Sequence, residues 1–255
     1  MQIENLIQNP HMDGESFEWQ AGRTGVVLVH GFTGTTTEVR PLAKALLNNG
    51  YSVSAPLLPG HGRAPTDMNA CRWQDWAAAV DAAYRALAAR CDRVVIGGES
   101  MGGLLALYAG IHHPEAAAVL AFAPALITNR AADKLLAGAV APFVPYMQKQ
   151  RGPLTPADER WKGYTVNPVK AGVQLFRLQA EVRRSLPLLR RPLLVVQGRN
   201  DTTVSPLAPE IIAREVRSTV KEVHWFENST HCVLLDGEIE AVNALTLDFL
   251  ARVLN

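Results

Sequence analysis

The chain has 255 residues, 48% of them hydrophobic and 19% charged, with a formal net charge of +1. That is the composition of a globular protein with a sizeable core, and a charge so near zero, with no basic run longer than Arg183-Arg184 or Arg190-Arg191, argues against a nucleic-acid surface. The N-terminal stretch lacks the basic and apolar regions of a signal peptide, no segment reaches the length of an apolar membrane span, and Cys71, Cys91 and Cys232 form no CxxC pair; the expectation is a cytoplasmic protein with free thiols and no integral membrane association.

Short runs rich in Val, Leu and Ile, bounded by Gly or Pro, alternate along the chain with longer runs of helical period, the pattern of crossover units in a parallel sheet. In chain order, a strand is predicted over 26–30, then a helix over 39–49 with Pro41 in its first turn and a strand over 52–57. A helix over 73–89 follows, on which Trp76, Val80, Ala83, Tyr84 and Leu87 form one apolar stripe. A strand over 93–97 leads directly into a helix over 101–111 that is apolar almost all round and so is expected to lie buried on the sheet. After a strand over 118–123 the alternation stops. Residues 125–187 show no good strand but several prolines and two helical apolar patterns. Leu135, Leu136, Ala139, Val140, Phe143 and Met147 make one; Leu175, Leu178, Val182 and Leu186 make the other. Lying between two strands, this stretch is expected to be an insertion that caps a pocket. The alternation resumes with a strand over 193–197, a helix over 206–216, a strand over 222–226 and a last helix marked by Val242, Leu245, Phe249, Leu250 and Val253. No linker divides the chain, so 1–255 is expected to form a single α/β domain, a mostly parallel sheet flanked by helices, with 125–187 as its cap insertion.

The motif Gly98-Glu99-Ser100-Met101-Gly102 sits between a predicted strand and a predicted helix. A serine on so sharp a turn is held in a strained backbone with its hydroxyl exposed above the sheet's carboxyl edge, and the chain passes close enough to need glycine two residues before and after it. The Met101 amide then points along the helix N-terminus toward a developing oxyanion. A hydroxyl is a poor nucleophile at neutral pH and needs a base within hydrogen-bond reach.

The chain offers seven histidines. His11 lies in an N-terminus expected to be mobile, His224 inside a predicted strand, and His112-His113 at a helix end, where neighbours in sequence seldom converge on one metal ion. His30 and His61 belong to the loop motifs His30-Gly31 and Gly60-His61-Gly62. His231, just past the last predicted strand, is the candidate base. Asp201, directly after the strand over 193–197, is the candidate orienting carboxylate; its structural alternative is an Asx turn before Pro206. Asp236 comes after His231 and reads as the N-cap of the last helix. A second oxyanion donor is expected after the first predicted strand, in His30-Gly31-Phe32-Thr33-Gly34, with Gly31 letting the backbone approach the ester and the Phe32 N–H as donor.

Together, HGFTG, PLLPGHG, GESMGG, RND and STH resemble the bacterial carboxylesterase and monoacylglycerol lipase families of the α/β-hydrolases, over nearly the whole chain from about Gly25 onward and least between Ala125 and Pro187. The resemblance implies an α/β-hydrolase fold and a triad of Ser100, Asp201 and His231. It further implies oxyanion amides at Phe32 and Met101, a small cap over an apolar acyl pocket, and no cofactor. The expected activity is hydrolysis of small carboxylic esters, short to medium acyl esters with monoacylglycerols among them, through an acyl-enzyme, by a monomer or homodimer with no bound metal. Amide or peptide hydrolysis and perhydrolysis share the constellation, and a slow-turnover ligand receptor would retain it. Dehalogenases and epoxide hydrolases place a carboxylate where this chain has Ser100.

Overall fold

The computed structural model describes residues 6–128, 141, 143–149 and 155–254. Its centre is a seven-stranded sheet. The six strands expected from sequence are all present as parallel neighbours: β3 (Thr24–Val29), β4 (Ser52–Ala55), β5 (Arg93–Glu99), β6 (Ala118–Phe122), β10 (Leu193–Gly198) and β11 (Lys221–Phe226). The order across the sheet is β11-β10-β6-β5-β3-β4-β2. Strand β2 (Phe17–Trp19) runs antiparallel to β4 at one edge, pairing Phe17 with Ala55 and Trp19 with Val53. It lies in the segment expected to be mobile, and its three residues are too short to show an alternating pattern. The segment is nonetheless anchored: Asn9 Nδ2 donates to the Trp161 carbonyl at 2.8 Å, and Lys162 Nζ donates to the Met12 carbonyl at 2.6 Å.

Successive side chains on a strand point to opposite faces, and this chain puts apolar residues on both. On β3, Val27 and Val29 join one core cluster while Val26 and Leu28 join the other. The first cluster is covered by α3 (Trp73–Ala88), α4 (Met101–His112), α6 (Val169–Ser185) and α7 (Leu207–Glu215), the second by α1 (Arg40–Asn48) and α8 (Ile239–Leu254). Helix α4 is buried nearly all round, as its sequence requires. The stripe Trp76, Val80, Tyr84 and Leu87 is the buried face of α3.

Between β6 and β10 the described residues hold strands that were not expected. β7 (Tyr146–Gln148) pairs antiparallel with β9 (Val166–Pro168), and β8 (Gly163–Tyr164) pairs with β1 (Ile7–Gln8). At two or three residues each, they leave no periodic trace in the sequence. Two further short helices among the described residues are α2 (Pro65–Ala70) and α5 (Pro156–Arg160). Of the two helical patterns expected here, the second is α6, whose Leu175, Leu178 and Val182 are buried against α2, α3 and α4. Leu135, Leu136, Ala139 and Val140 of the first lie outside the described residues; Phe143 is 86% exposed and Met147 lies in β7. No helix of the described residues is long and apolar enough to cross a membrane.

Candidate active site

Strand β5 runs two residues further than expected and delivers Ser100 at the sheet's carboxyl edge, where α4 starts at Met101. Ser100 has φ 57° and ψ −114°, a backbone region that a non-glycine residue enters only under strain. The flanking glycines are obligatory: a Cβ on Gly98 would stand 2.7 Å from the Val29 carbonyl oxygen, and one on Gly102 would be driven into the same peptide and to 2.8 Å from the His30 carbonyl oxygen.

Three side chains far apart in sequence meet above this turn. His231 Nε2 lies 2.9 Å from Ser100 Oγ, and His231 Nδ1 lies 2.8 Å from Asp201 Oδ2. With Nδ1–H donating to the carboxylate, the Nε2 lone pair faces the serine hydroxyl. Asp201 follows β10 and its side chain is 2% exposed. Its Oδ1 accepts the N–H groups of Thr203 and Val204, so the Asx turn and the histidine contact coexist, one on each oxygen. Gln197 Nε2, 2.6 Å from Oδ2, adds a further donor. Burial on its own would raise the Asp201 carboxyl; the His231 ring and these hydrogen bonds reverse that and hold it below the usual range. For His231 burial pulls the other way, and the Asp201 carboxylate, then Glu38, outweigh it to leave the imidazole above its ordinary value.

The loop carrying His231 is fastened from three sides. Asp236 does not cap the last helix, which begins at Ile239. Its Oδ2 accepts the Thr230 N–H and hydroxyl, both at 2.6 Å, because the turn before α8 folds the carboxylate back over residue 230. Glu238 takes the Ser229 hydroxyl at 2.7 Å, and Glu99 Oε1 takes the Leu234 N–H at 3.0 Å. Burial, and then the neighbouring Glu38 carboxyl, push Glu99 well above the usual carboxylate range.

Phe32 is half-buried and packs edge-on against Trp76, with ring centroids 6.2 Å apart. The space that the missing side chain of Gly31 leaves faces Glu38 Oε2 and the Ser100 Cβ, 3.1 and 3.2 Å from where a Cβ would stand. Glu38 Oε2 accepts the Gly31 N–H at 2.5 Å, and Glu38 Oε1 accepts the Trp161 indole N–H at 2.5 Å. Sequence reasoning passed over Glu38, Trp161 and Gln197, which carry no motif. Four of the other histidines are engaged elsewhere. His113 sits between Asp81 and Glu115 at 2.8 and 3.0 Å, and His112 Nδ1 lies 2.8 Å from the Tyr108 carbonyl oxygen. His224 contacts Glu222 at 3.0 Å, and His30 accepts the Leu58 N–H.

The family model described as serine aminopeptidase, S33, matches residues 20–238. A thermostable monoacylglycerol lipase of Bacillus sp. (strain H-257) is 34% identical over 246 residues, 96% of this chain and 98% of the relative. A carboxylesterase of Bacillus subtilis (strain 168) is 29% identical over 238 residues, 93% of this chain and 96% of the relative. A solved structure from work on the metagenome-derived lipolytic enzymes LipS and LipT superposes with a TM-score of 0.85 at 32% identity, covering 94% of this chain and 98% of that one. The strand order, the strained Ser100 turn and these matches together place the chain in the serine aminopeptidase S33 family of α/β-hydrolases.

Proposed function

We propose that the protein is a serine-dependent carboxylic ester hydrolase, acting on short to medium acyl esters with monoacylglycerols among them. The observation that carries the reading is the unbroken hydrogen-bonded chain from Ser100 Oγ through the His231 ring to Asp201. Ser100 attacks the ester carbonyl while His231 Nε2 takes its proton, and the resulting imidazolium is stabilised by Asp201, which stays ionised. The amides of Phe32 and Met101 receive the oxyanion. Each such donor typically contributes about 3 to 4 kcal/mol of transition-state stabilisation. The imidazolium then protonates the departing alcohol, and water repeats the sequence on the acyl-enzyme. The names of the Bacillus relatives, a monoacylglycerol lipase and a carboxylesterase, support the substrate class. Within 125–187 we assign the covering role to the described residues 143–149 and 155–168 before α6, since α6 itself packs into the helical layer.

The test is direct. The parent protein should hydrolyse p-nitrophenyl butyrate and take up a fluorophosphonate label at Ser100, and Ser100→Ala should lose both while staying folded. A folded parent that neither reacts nor hydrolyses the ester refutes the scheme. A second reading, amide or peptide hydrolysis by the same residues, is favoured by the description of the matching family. Paired esters and anilides of one acyl group separate the two, and the ester should be the faster by kcat/KM.

A further inference from the structure

Glu38 is a buried carboxyl that the proposed mechanism leaves idle. It ends the short turn Thr36–Glu38 and is 4% exposed, yet two N–H donors converge on it, from Gly31 and from Trp161. Gly31 precedes Phe32, so the peptide that Glu38 grips adjoins the one whose N–H is assigned to the oxyanion. The fit is close: a Cβ on Gly34 would run into the Glu38 carboxyl, so the second glycine of His30-Gly31-Phe32-Thr33-Gly34 makes room for it.

Trp161 belongs to the segment between β6 and β10, and the contact is one of a row. The Tyr164 N–H donates to the Thr33 carbonyl at 2.9 Å, and the Thr35 hydroxyl donates to the Lys162 carbonyl at 3.0 Å. The Lys162 N–H donates to Thr37 Oγ1 at 3.0 Å, and Lys149 Nζ donates to Thr33 Oγ1 at 2.5 Å. The oxyanion loop is thus laced along residues 33–38 to the covering segment, with Glu38 at the end of the row and on the Gly31 N–H.

We propose that Glu38 is a positioning residue, whose carboxylate holds the Gly31 peptide so that the Phe32 N–H is aimed at the reacting carbonyl, and which through Trp161 makes that aim depend on the covering segment. The inference rests on the assignment of Phe32 as an oxyanion donor. A carboxylate suits the position because both of its partners donate; a glutamine would turn its NH2 group toward one of them and leave that pairing broken.

The experiment compares the full-length parent with Glu38→Gln and with Trp161→Phe, which removes the indole donor and keeps an aromatic ring. It measures kcat and KM on p-nitrophenyl butyrate, the inhibition constant of an alkyl boronic acid that forms a tetrahedral adduct on serine, and the melting temperature. Glu38→Gln should lower kcat about tenfold or more with KM changed by less than about twofold, and weaken the boronate by a similar factor, because a displaced oxyanion donor costs the transition state and not the ground state. Trp161→Phe should move kcat and boronate affinity the same way by a smaller factor. Folded variants that keep parental kcat overturn the proposal, as does a fall in kcat with boronate affinity unchanged. If Glu38→Gln does not fold, Trp161→Phe decides by the same two measurements. A parent that neither turns over nor labels at Ser100 refutes the hydrolase reading and this inference with it, whereas an active, labelled parent beside unaffected variants refutes this inference alone.

Discussion

At the scale of single residues, the site turns on how Asp201 and His231 perturb each other. The carboxylate is buried and would be costly to hold ionised without partners. It has four: the His231 ring, Gln197 and the amides of Thr203 and Val204. In return it keeps the His231 pKa above the ordinary 6.5 against the pull of burial. A base must be neutral to accept the serine proton, so kcat/KM should rise as pH climbs through that raised value. In Asp201→Asn the raising charge is gone while burial remains, so the acid limb should move to lower pH. At the same time kcat should fall on the order of 10³- to 10⁴-fold, because an amide no longer fixes the tautomer or offsets the imidazolium charge. A pH–rate profile on p-nitrophenyl butyrate checks both; a limb that stays in place or moves to higher pH contradicts the electrostatic account.

At the scale of elements, the decisive piece is the junction of β5 and α4. Only Ser100 separates strand from helix, and the junction passes so near the end of β3 that only glycine fits at 98 and 102. Gly102→Ala should therefore destabilise the fold by about 3 kcal/mol or more, since the atoms in its way are backbone and do not rotate aside. Gly172, in α6, is the opposite case, with nothing within 4 Å of an added Cβ. Gly172→Ala should stabilise the protein by about 0.5 to 1 kcal/mol, the usual difference in helix propensity. Urea midpoints of the two variants, measured side by side, test whether close backbone approach, rather than glycine content, governs the cost.

At the scale of the whole molecule, one sheet carries two cores, and the site stands at the edge both share. Strands β3, β5, β6 and β10 feed side chains to each face, so loss of packing on either side should weaken the platform that holds Ser100, Asp201 and His231. Phe249 on α8 is fully buried on the face away from α4. Phe249→Ala should cost about 3 to 5 kcal/mol of unfolding free energy while leaving kcat of the remaining folded protein near parental, because it packs in the cluster on the sheet face away from α4. A large drop in kcat at a temperature where the variant is fully folded would show that the two cores are less independent than their contacts imply.

The parallel strands, the buried α4 and the three hydrogen-bonded side chains were legible in the amino-acid sequence because each rests on a local pattern. A run of Val and Leu between glycines marks a strand buried on both faces, the glycines around Ser100 follow from a steric need within five residues, and Asp201 and His231 each come directly after a strand. The edge strand β2 and the pairs β1–β8 and β7–β9 were not legible, since two or three residues make no period and their pairing partners are distant in sequence. Asp236 was misread for a related reason: a carboxylate just before a helix usually caps it, and only the folded turn shows that residue 230 offers it two nearer donors. Glu38 and Trp161 belong to the same class: the hydrogen bond between them spans 123 positions of the chain, and such proximity exists only once the sheet has assembled. Gln197 meets Asp201 only four residues on, at the end of a strand run that reads simply as buried sheet.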